Sequence, residues 1–339
     1  MPTNTINNKN EIGNIQILRA IAALLVVSNH LLGSIYGGIF KFNGGLGVDI
    51  FFIISGFLMV YTQKERRGPI EFIFGRINRI YPTYILISLP LVLSRIQYTD
   101  LHVFIGNFLL TPDIGNEQYK LANPPAWSLV YEMIFYVIFT LSLMFSTKKA
   151  TSFILSSIAI IITLCIFKSY HHAIRFDSWV NIDYILSDFL LINFIAGGVI
   201  ALIVNKIQLK INFPFFIFIT ITLLFISLSL QQDTPRIVKF GIPAFFIVLV
   251  ACISHAGCGV FYKTLHKIGD ASYSLYISHI YIVILAADVY RVNGSSEESK
   301  YFISLLMLIL SVLLSLFLNK SIEKPIANFF KQRKNQKQL

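Results

Sequence analysis

The sequence has 339 residues, of which 55% are hydrophobic and only 13% are charged. Soluble domains average about 25% charged residues, and the mean hydropathy of this chain is +0.68. The composition therefore excludes a disordered chain, a coiled coil and an ordinary soluble domain. The net charge of +11 points to an anionic partner, and the positions of the charges decide which kind.

Ten apolar segments predict an all-α, polytopic membrane protein, because a bilayer core about 30 Å thick needs roughly 20 apolar residues in a helix. The second, third and fifth segments are short, so we expect them to be tilted, partial or re-entrant. An additional apolar stretch, Leu101–Leu110, is too short to span. The ten predicted spans are Asn14–Gly33, Gly47–Thr62, Ile80–Ser94, Trp127–Phe145, Ser152–Phe167, Ile185–Val204, Phe213–Leu230, Phe240–Ser254, Ala271–Tyr290 and Tyr301–Leu318.

The basic residues orient this predicted bundle. If the N-terminus is cytoplasmic and ten spans alternate, about twice as many lysines and arginines fall on the inner side as on the outer side. This is the positive-inside bias, so we expect both termini in the cytoplasm. A polar N-terminus (1–13) and a basic tail (320–339) then flank a membrane domain over 14–319. Anionic lipids are the expected partner of the tail, and nucleic acid is not expected to bind.

Arg19 and His30 are the first candidate site residues, because both lie in the first predicted span. Eleven residues separate them, which places them within about 20° on one helical face and about 16 Å apart along the axis. A snorkelling arginine and a structural histidine are the alternatives. Ionisable groups inside a bilayer are costly and rare, so we favour a functional pair in which His30 transfers protons.

Asp49 and Ser55 lie in the glycine-rich string Gly47–Phe57. Asp49 is predicted to begin the second helix, where its carboxylate can either cap the N-terminus or orient His30. Both alternatives stay open. Ser55 fits a small packing residue best, and it is kept as a candidate substrate contact.

Arg76 and Arg79 are predicted to lie in a cytoplasmic loop before the third span. Their i, i+3 spacing points both guanidinium groups the same way on a helical turn, which suits phosphate binding. Ordinary positive-inside topology is the alternative explanation for this pair. It is the interpretation that we prefer for Lys64, Arg66 and Arg67.

The fourth span begins with Trp127 and carries Ser128, Glu132 and Tyr136 at intervals of four residues, so the last three share one face. Trp127 is typical of an interfacial belt. Glu132 lies one turn inside an apolar span and needs a partner, for which His30 or an arginine is a candidate.

The ninth span carries a polar face made of Ser272, Tyr276 and His279. Hydrogen bonding between helices is slightly favoured over catalysis as its role. No spacing of histidines or cysteines in the chain fills a metal-binding template, so no metal is expected.

These strings, taken in order, resemble the membrane acyltransferase-3 family. The matching strings are Leu18-Arg19 with His30, Gly47–Phe57, Arg76–Pro82, Trp127–Tyr136, Ile268–His279 and Glu323-Lys324-Pro325. The resemblance covers nearly the whole chain. It implies the short form of the family, without a periplasmic esterase-like domain, in the bacterial inner membrane.

The resemblance further implies an O-acyltransferase that moves an acyl group, usually acetyl, from cytoplasmic acyl-CoA to a hydroxyl of an envelope glycan. By resemblance, His30 is the catalytic histidine, Arg19 is its donor-side companion, and Arg76 and Arg79 bind CoA phosphates. Glu132 or Asp49 is expected to hold the imidazole tautomer. Candidate substrate contacts are Ser55, Trp127, Ser128, Tyr136 and His279.

Three alternatives stay open at the level of sequence. His30 can act as a general base or carry the acyl group in a two-step route. A transporter of a glycan or lipid can use His30, Asp49 and Glu132 as a proton relay, although no repeated half is present. A non-enzymatic partner in glycan assembly is the third alternative. The acceptor sugar and the oligomeric state stay open.

Overall fold

The computed structural model describes residues 8–33, 44–95, 100–114, 120–168, 180–231, 233–293 and 297–336. Within these ranges the chain forms helices, two isolated β-bridges and no β-strand, which confirms the all-α prediction. The α-helices are α1 (Asn8–Gly33), α2 (Gly44–Thr62), α3 (Pro69–Leu93), α4 (Leu101–Leu109), α5 (Trp127–Phe145), α6 (Lys149–Phe167), α7 (Ile182–Ser187), α8 (Leu190–Ile203), α9 (Phe213–Ser229), α10 (Ile242–Cys252), α11 (Gly259–Asp270), α12 (Ser272–Asn293), α13 (Glu297–Leu318) and α14 (Lys324–Gln336).

Six described helices are long and apolar enough to cross a membrane, and three more are apolar but shorter. Each of the ten predicted spans overlaps a helix, but their number as membrane spans stays a prediction. The six long ones are Gly13–Leu32, Gly44–Thr62, Pro124–Phe145, Lys149–Phe167, Ser272–Tyr290 and Ser299–Arg333. The chain is therefore a multi-pass membrane protein.

The sixth predicted span is broken in the structure, which places α7 and α8 on either side of Asp188. The Asp188 carboxylate accepts the backbone N–H of Leu190 at 2.9 Å. It thereby satisfies one of the donors that the start of a helix leaves unpaired. An acidic side chain inside an apolar run thus begins a new helix here.

Three other boundaries differ from the predictions. The third helix begins at Pro69, whose fixed φ suits the first helical turn, so Arg76 and Arg79 lie inside α3 and not in a loop. The first helix begins earlier, at Asn8. The chain beyond Leu318 also stays helical as far as Gln336, passing through a π-helical turn at Asn319–Glu323.

The structure divides into two compact units. The first unit comprises Met1–Leu58 and Ala196–Leu316. In it α1 is the hub, because it packs against α10, α11 and α12. Its apolar face lies in a buried cluster formed by Ala23, Val27, Leu31, Leu275, Ile282, Ala286 and Met307.

Two glycines let helices approach α1 closely. A Cβ atom at Gly269 would overlap the carbonyl oxygen of Gln16, so α11 can lie against α1 only with glycine there. A Cβ atom at Gly47 of α2 would likewise lie only 2.5 Å from the carbonyl oxygen of Ala22. The position of α1 therefore depends on small residues in its neighbours.

The second unit comprises Met59–Ile195 and Phe317–Leu339. Its α3 packs against α4, α5 and α14, and α5 packs against α6. Buried hydrogen bonds tie the segment before α5 to this frame. Asn107 Oδ1 accepts the backbone N–H of Ala122 at 2.6 Å, and Asn123 Nδ2 donates to Ser88 Oγ at 2.9 Å. These bonds fix where α5 begins.

We predict that Gly269→Leu destabilises the protein by about 1–3 kcal/mol, because the added side chain must push α11 away from the α1 backbone. Thermal denaturation in detergent, followed by size-exclusion chromatography, measures the effect. Gly68→Ala is the control, since a Cβ there meets nothing within 4 Å. Equal melting temperatures for both variants would contradict the packing argument.

Candidate active site

The first unit brings His30 together with His279, which is 249 residues away in the sequence. Nδ1 of His30 lies 2.8 Å from Nε2 of His279, a hydrogen-bonding distance. The ring centroids are 5.0 Å apart and the ring planes are 25° apart, so the rings meet edge to edge. The His279 side chain is completely buried, and its Nδ1 lies 3.2 Å from the carbonyl oxygen of Leu275. An imidazole pair thus links α1 to α12.

Aromatic and apolar side chains surround this pair. The Tyr276 ring lies 6.1 Å from the His279 ring, and Phe51 meets Tyr276 edge-on at 5.7 Å. Leu31 and Leu275 belong to the buried cluster around α1. Such surroundings keep the dielectric low, which strengthens every hydrogen bond inside the site.

Arg19 lies on α1 with His30, and its side chain is half-buried. Its Nη1 donates a hydrogen bond to Oε1 of Gln16 at 3.0 Å, one turn earlier on the same helix. Ser55 of α2, in the same unit, is also half-buried.

Asp49 does not cap α2, which corrects that part of the prediction. The helix begins at Gly44, so Asp49 lies inside it and beyond the first turn. Its carboxylate forms an ion pair with Arg236, with Oδ2 and Nη2 2.6 Å apart. Asp49 is 2% exposed and Arg236 33%, so the carboxylate is the buried partner. The Arg236 guanidinium also lies 5.5 Å from the centre of the Phe240 ring.

No sequence pattern singles out Arg236 from the other basic residues predicted on the outer side. Its partner lies 187 residues away, and no local spacing links the two positions. A π-helical turn, Ile237–Gly241, follows Arg236 directly. Such turns occur mostly as single insertions in α-helices, often at functional sites.

The second unit buries Arg76 among aromatic rings. Its guanidinium carbon lies 5.2 Å from the centre of the Phe72 ring and 5.3 Å from that of Tyr136. The side chain is 7% exposed, and its Nε is buried without a hydrogen-bond partner among the described residues. Guanidinium groups carry five donors, so this one retains capacity for an anionic ligand.

Glu132 and Tyr136 complete this arginine site from α5. The Tyr136 hydroxyl donates a hydrogen bond to Oε1 of Glu132, one turn earlier on the shared face that the spacing predicted. Both residues interact electrostatically with Arg76. Within this unit Glu132 therefore hydrogen-bonds to Tyr136 and acts electrostatically on Arg76. Arg79 is exposed on α3.

Arg67 is a site residue that sequence reasoning missed. Its position was attributed to the positive-inside bias alone. In the structure its guanidinium carbon lies 5.4 Å from the centre of the Phe72 ring, which Arg76 also contacts. Its Nη2 lies 3.5 Å from the Glu71 carbonyl oxygen. Arg67 precedes α3, so helical spacing carried no signal for it. We call Arg67, Phe72, Arg76, Glu132 and Tyr136 the arginine cluster.

Trp127 and Ser128 stand at the start of α5. The Trp127 ring packs edge-on against Tyr131 with centroids 5.4 Å apart. Ser128 is buried, and its Oγ lies 3.5 Å from the carbonyl oxygen of Pro125. Neither residue is part of the arginine cluster as defined above.

Among the described residues, no group of three or more histidine, cysteine, aspartate and glutamate side chains is arranged to hold a metal ion. The ionisable side chains described above are instead histidines, arginines and carboxylates. Imidazole and carboxylate groups can accept protons, and guanidinium groups can bind anions.

The fold and these groups define a class: a helical, multi-pass membrane protein that carries a histidine pair and a buried arginine among its helices. The chain belongs to the acyltransferase-3 family, since the family model described as an acyltransferase domain matches residues 12–320. It is therefore an enzyme of the acyltransferase class.

The exopolysaccharide production protein ExoZ of Rhizobium meliloti is 26% identical over 282 residues, which cover 78% of this chain and 84% of ExoZ. The O-acetyltransferase OatA of Staphylococcus aureus is 26% identical over 91% of this chain and 56% of its own length. The peptidoglycan O-acetyltransferase OatA of Listeria monocytogenes is 24% identical over 86% and 53%. The chain thus spans about half the length of the OatA relatives. No solved structure matches it.

We predict a coupling free energy of about 1–3 kcal/mol between Asp49 and Arg236, because removing either partner leaves a charge that was paired in a largely buried setting. A double-mutant cycle with Asp49→Asn and Arg236→Gln, measured by unfolding in detergent, gives this value.

The matched control is the pair His266 and Asp270, which are 3.6 Å apart and both more than a third exposed. Its coupling should stay under about 0.5 kcal/mol, as is usual for exposed i, i+4 pairs. A value for Asp49 and Arg236 as small as the control would show that their ion pair adds no stability.

Proposed function

We propose that the chain is an O-acyltransferase that moves an acetyl group from acetyl-CoA to a hydroxyl of an envelope polysaccharide, with His30 as general base. The observation that carries this proposal is the His30 imidazole held at 2.8 Å by a second histidine within apolar helices. Family membership supplies the acyl transfer, and the similarity to the exopolysaccharide production protein ExoZ and the O-acetyltransferase OatA supports a polysaccharide acceptor and O-acetylation.

A sugar hydroxyl is a weak nucleophile at neutral pH, so a base must remove its proton as it attacks. His30 is proposed to accept that proton while the hydroxyl oxygen bonds to the thioester carbonyl carbon. The carbon–sulfur bond then breaks, and the CoA thiolate takes the proton back from His30. This direct route balances without a covalent enzyme intermediate. An acyl-histidine route remains the alternative chemistry for the same residue.

Binding of the donor is proposed to use the arginine cluster together with the exposed Arg79. CoA carries several phosphate charges, and guanidinium groups bind phosphate with paired, charge-assisted hydrogen bonds. The hydrogen-bonding capacity of the buried Arg76 supports this role. Arg19 is proposed as the donor-side companion of His30 on α1. Ser55, Trp127 and Ser128 stay proposed substrate contacts.

The location is proposed to be the bacterial inner membrane, with both termini in the cytoplasm, where acyl-CoA is found. The positive-inside bias of the basic residues supports this orientation. The domain limits proposed from sequence, with a membrane domain over 14–319, lie close to the family match at 12–320. The basic α14, with Arg333 stacked on Phe329 at 4.6 Å, suits contact with anionic lipid headgroups.

We predict that His30→Ala lowers acetyl transfer by about 10²–10⁴-fold, the usual contribution of general acid–base catalysis. Purified protein, radiolabelled acetyl-CoA and a polysaccharide acceptor provide the assay. His102→Ala is the control, because His102 is exposed on α4 and outside the site. Transfer at the control rate by the His30 variant would refute the catalytic role.

We predict that Arg76→Ala raises the KM for acetyl-CoA about tenfold or more, since a charged hydrogen bond contributes about 1.5–3 kcal/mol. The KM of Arg76→Lys should lie between those of the wild type and Arg76→Ala. Lysine keeps the charge but lacks the planar guanidinium group that lies over the Phe72 and Tyr136 rings. Arg66→Ala is the control from an exposed arginine nearby. An unchanged KM in both Arg76 variants would remove the phosphate role.

A further inference from the structure

His279 is completely buried on α12, and its ring offers two nitrogens to two different partners. Nδ1 lies 3.2 Å from the Leu275 carbonyl oxygen, and Nε2 lies 2.8 Å from Nδ1 of His30. A carbonyl oxygen can only accept, so in the first contact the proton must belong to Nδ1 of His279.

A neutral imidazole carries one N–H, so Nε2 of His279 is then an acceptor. The hydrogen bond between the two rings must therefore be donated by Nδ1 of His30. A charged His279 would place an N–H donor at Nε2, facing the N–H of His30, and would bury a cation among apolar side chains. The neutral form is the one that satisfies both contacts.

We infer that His279 is a positioning residue that fixes His30 in the tautomer with its proton on Nδ1, so that Nε2 of His30 is the nitrogen that accepts the proton of the acceptor hydroxyl. The inference rests on the proposed role of His30 as the base. For His279 the sequence favoured hydrogen bonding between helices and kept a substrate contact as a candidate, and its complete burial and its bond to His30 suit the first of these roles.

The same bond continues to act after proton transfer. When Nε2 of His30 takes the proton, the ring becomes an imidazolium, and its Nδ1–H still donates to Nε2 of His279. Hydrogen bonds from a charged donor are about twice as strong as neutral ones, so this bond strengthens as the charge forms. The hydrogen bond to Nε2 of His279 restricts rotation of the His30 ring in both states.

Two substitutions at His279 separate positioning from packing. His279→Gln can keep a hydrogen-bond acceptor near the position of Nε2, whereas His279→Leu fills similar volume without any acceptor. We expect His279→Leu to lower kcat about 10–100-fold, as the loss of a supporting partner typically does. The KM for acetyl-CoA should change less than about twofold, and His279→Gln should recover most of kcat. Ser278→Ala is the matched control, because Ser278 is equally buried on α12 and its Oγ has no hydrogen-bond partner among the described residues.

A direct readout is ¹⁵N NMR of histidine-labelled protein in detergent micelles, with His30→Ala used to assign the signals. We expect Nδ1 of His30 to be protonated and Nε2 unprotonated in the wild type and in His279→Gln, and a mixture of tautomers in His279→Leu. The tautomer of His30 in the wild type and in His279→Gln is measured without catalysis, so the test stays decisive if the leucine variant fails to fold.

The outcomes distinguish the two proposals. A wild-type His30 protonated on Nε2, or an unchanged kcat in a folded His279→Leu variant, would overturn the positioning role while leaving the base role in place. Full activity of His30→Ala would instead overturn the proposed function, with the tautomer result unaffected.

Discussion

Polar side chains inside apolar helices must find their hydrogen-bond and charge partners within the protein, because the bilayer core offers none. This constraint organises each compact unit. In the first unit, His30 is paired with His279 and Asp49 with Arg236. In the second, Arg76 is enclosed by the rings of Phe72 and Tyr136, with Glu132 beside it. These few contacts are also the ones to which chemistry can be assigned.

Close approach of helices makes the first unit's pairings possible. Gly47 and Gly269 bring α2 and α11 against the α1 backbone, and the apolar cluster that includes Val27 and Leu275 sets α1 beside α12. The result is a 2.8 Å bond between rings on α1 and α12. Precision of this kind is what proton transfer requires, because a base acts only within hydrogen-bond reach of its proton.

Much of the fold could be predicted from sequence, since hydrophobic length and turn residues act locally. The fourth predicted span, Trp127–Phe145, coincides with α5. The prediction failed where a polar group changed the backbone within an apolar run. Asp188 begins a new helix inside the sixth span. No prediction covered α11, because its amphipathic pattern is not that of a membrane span.

By itself, the sequence determined that this protein is helical and membrane-embedded, that it belongs to an acyltransferase family, and that the ionisable groups inside its apolar spans, such as His30 and Glu132, need partners. Only the tertiary structure decided who those partners are. It paired Asp49 with Arg236, brought Arg67 to the ring that Arg76 contacts, and placed His279 behind His30. The reason is physical: residue spacing reports which face a side chain occupies on its own helix, whereas its partner depends on which helix packs against that face.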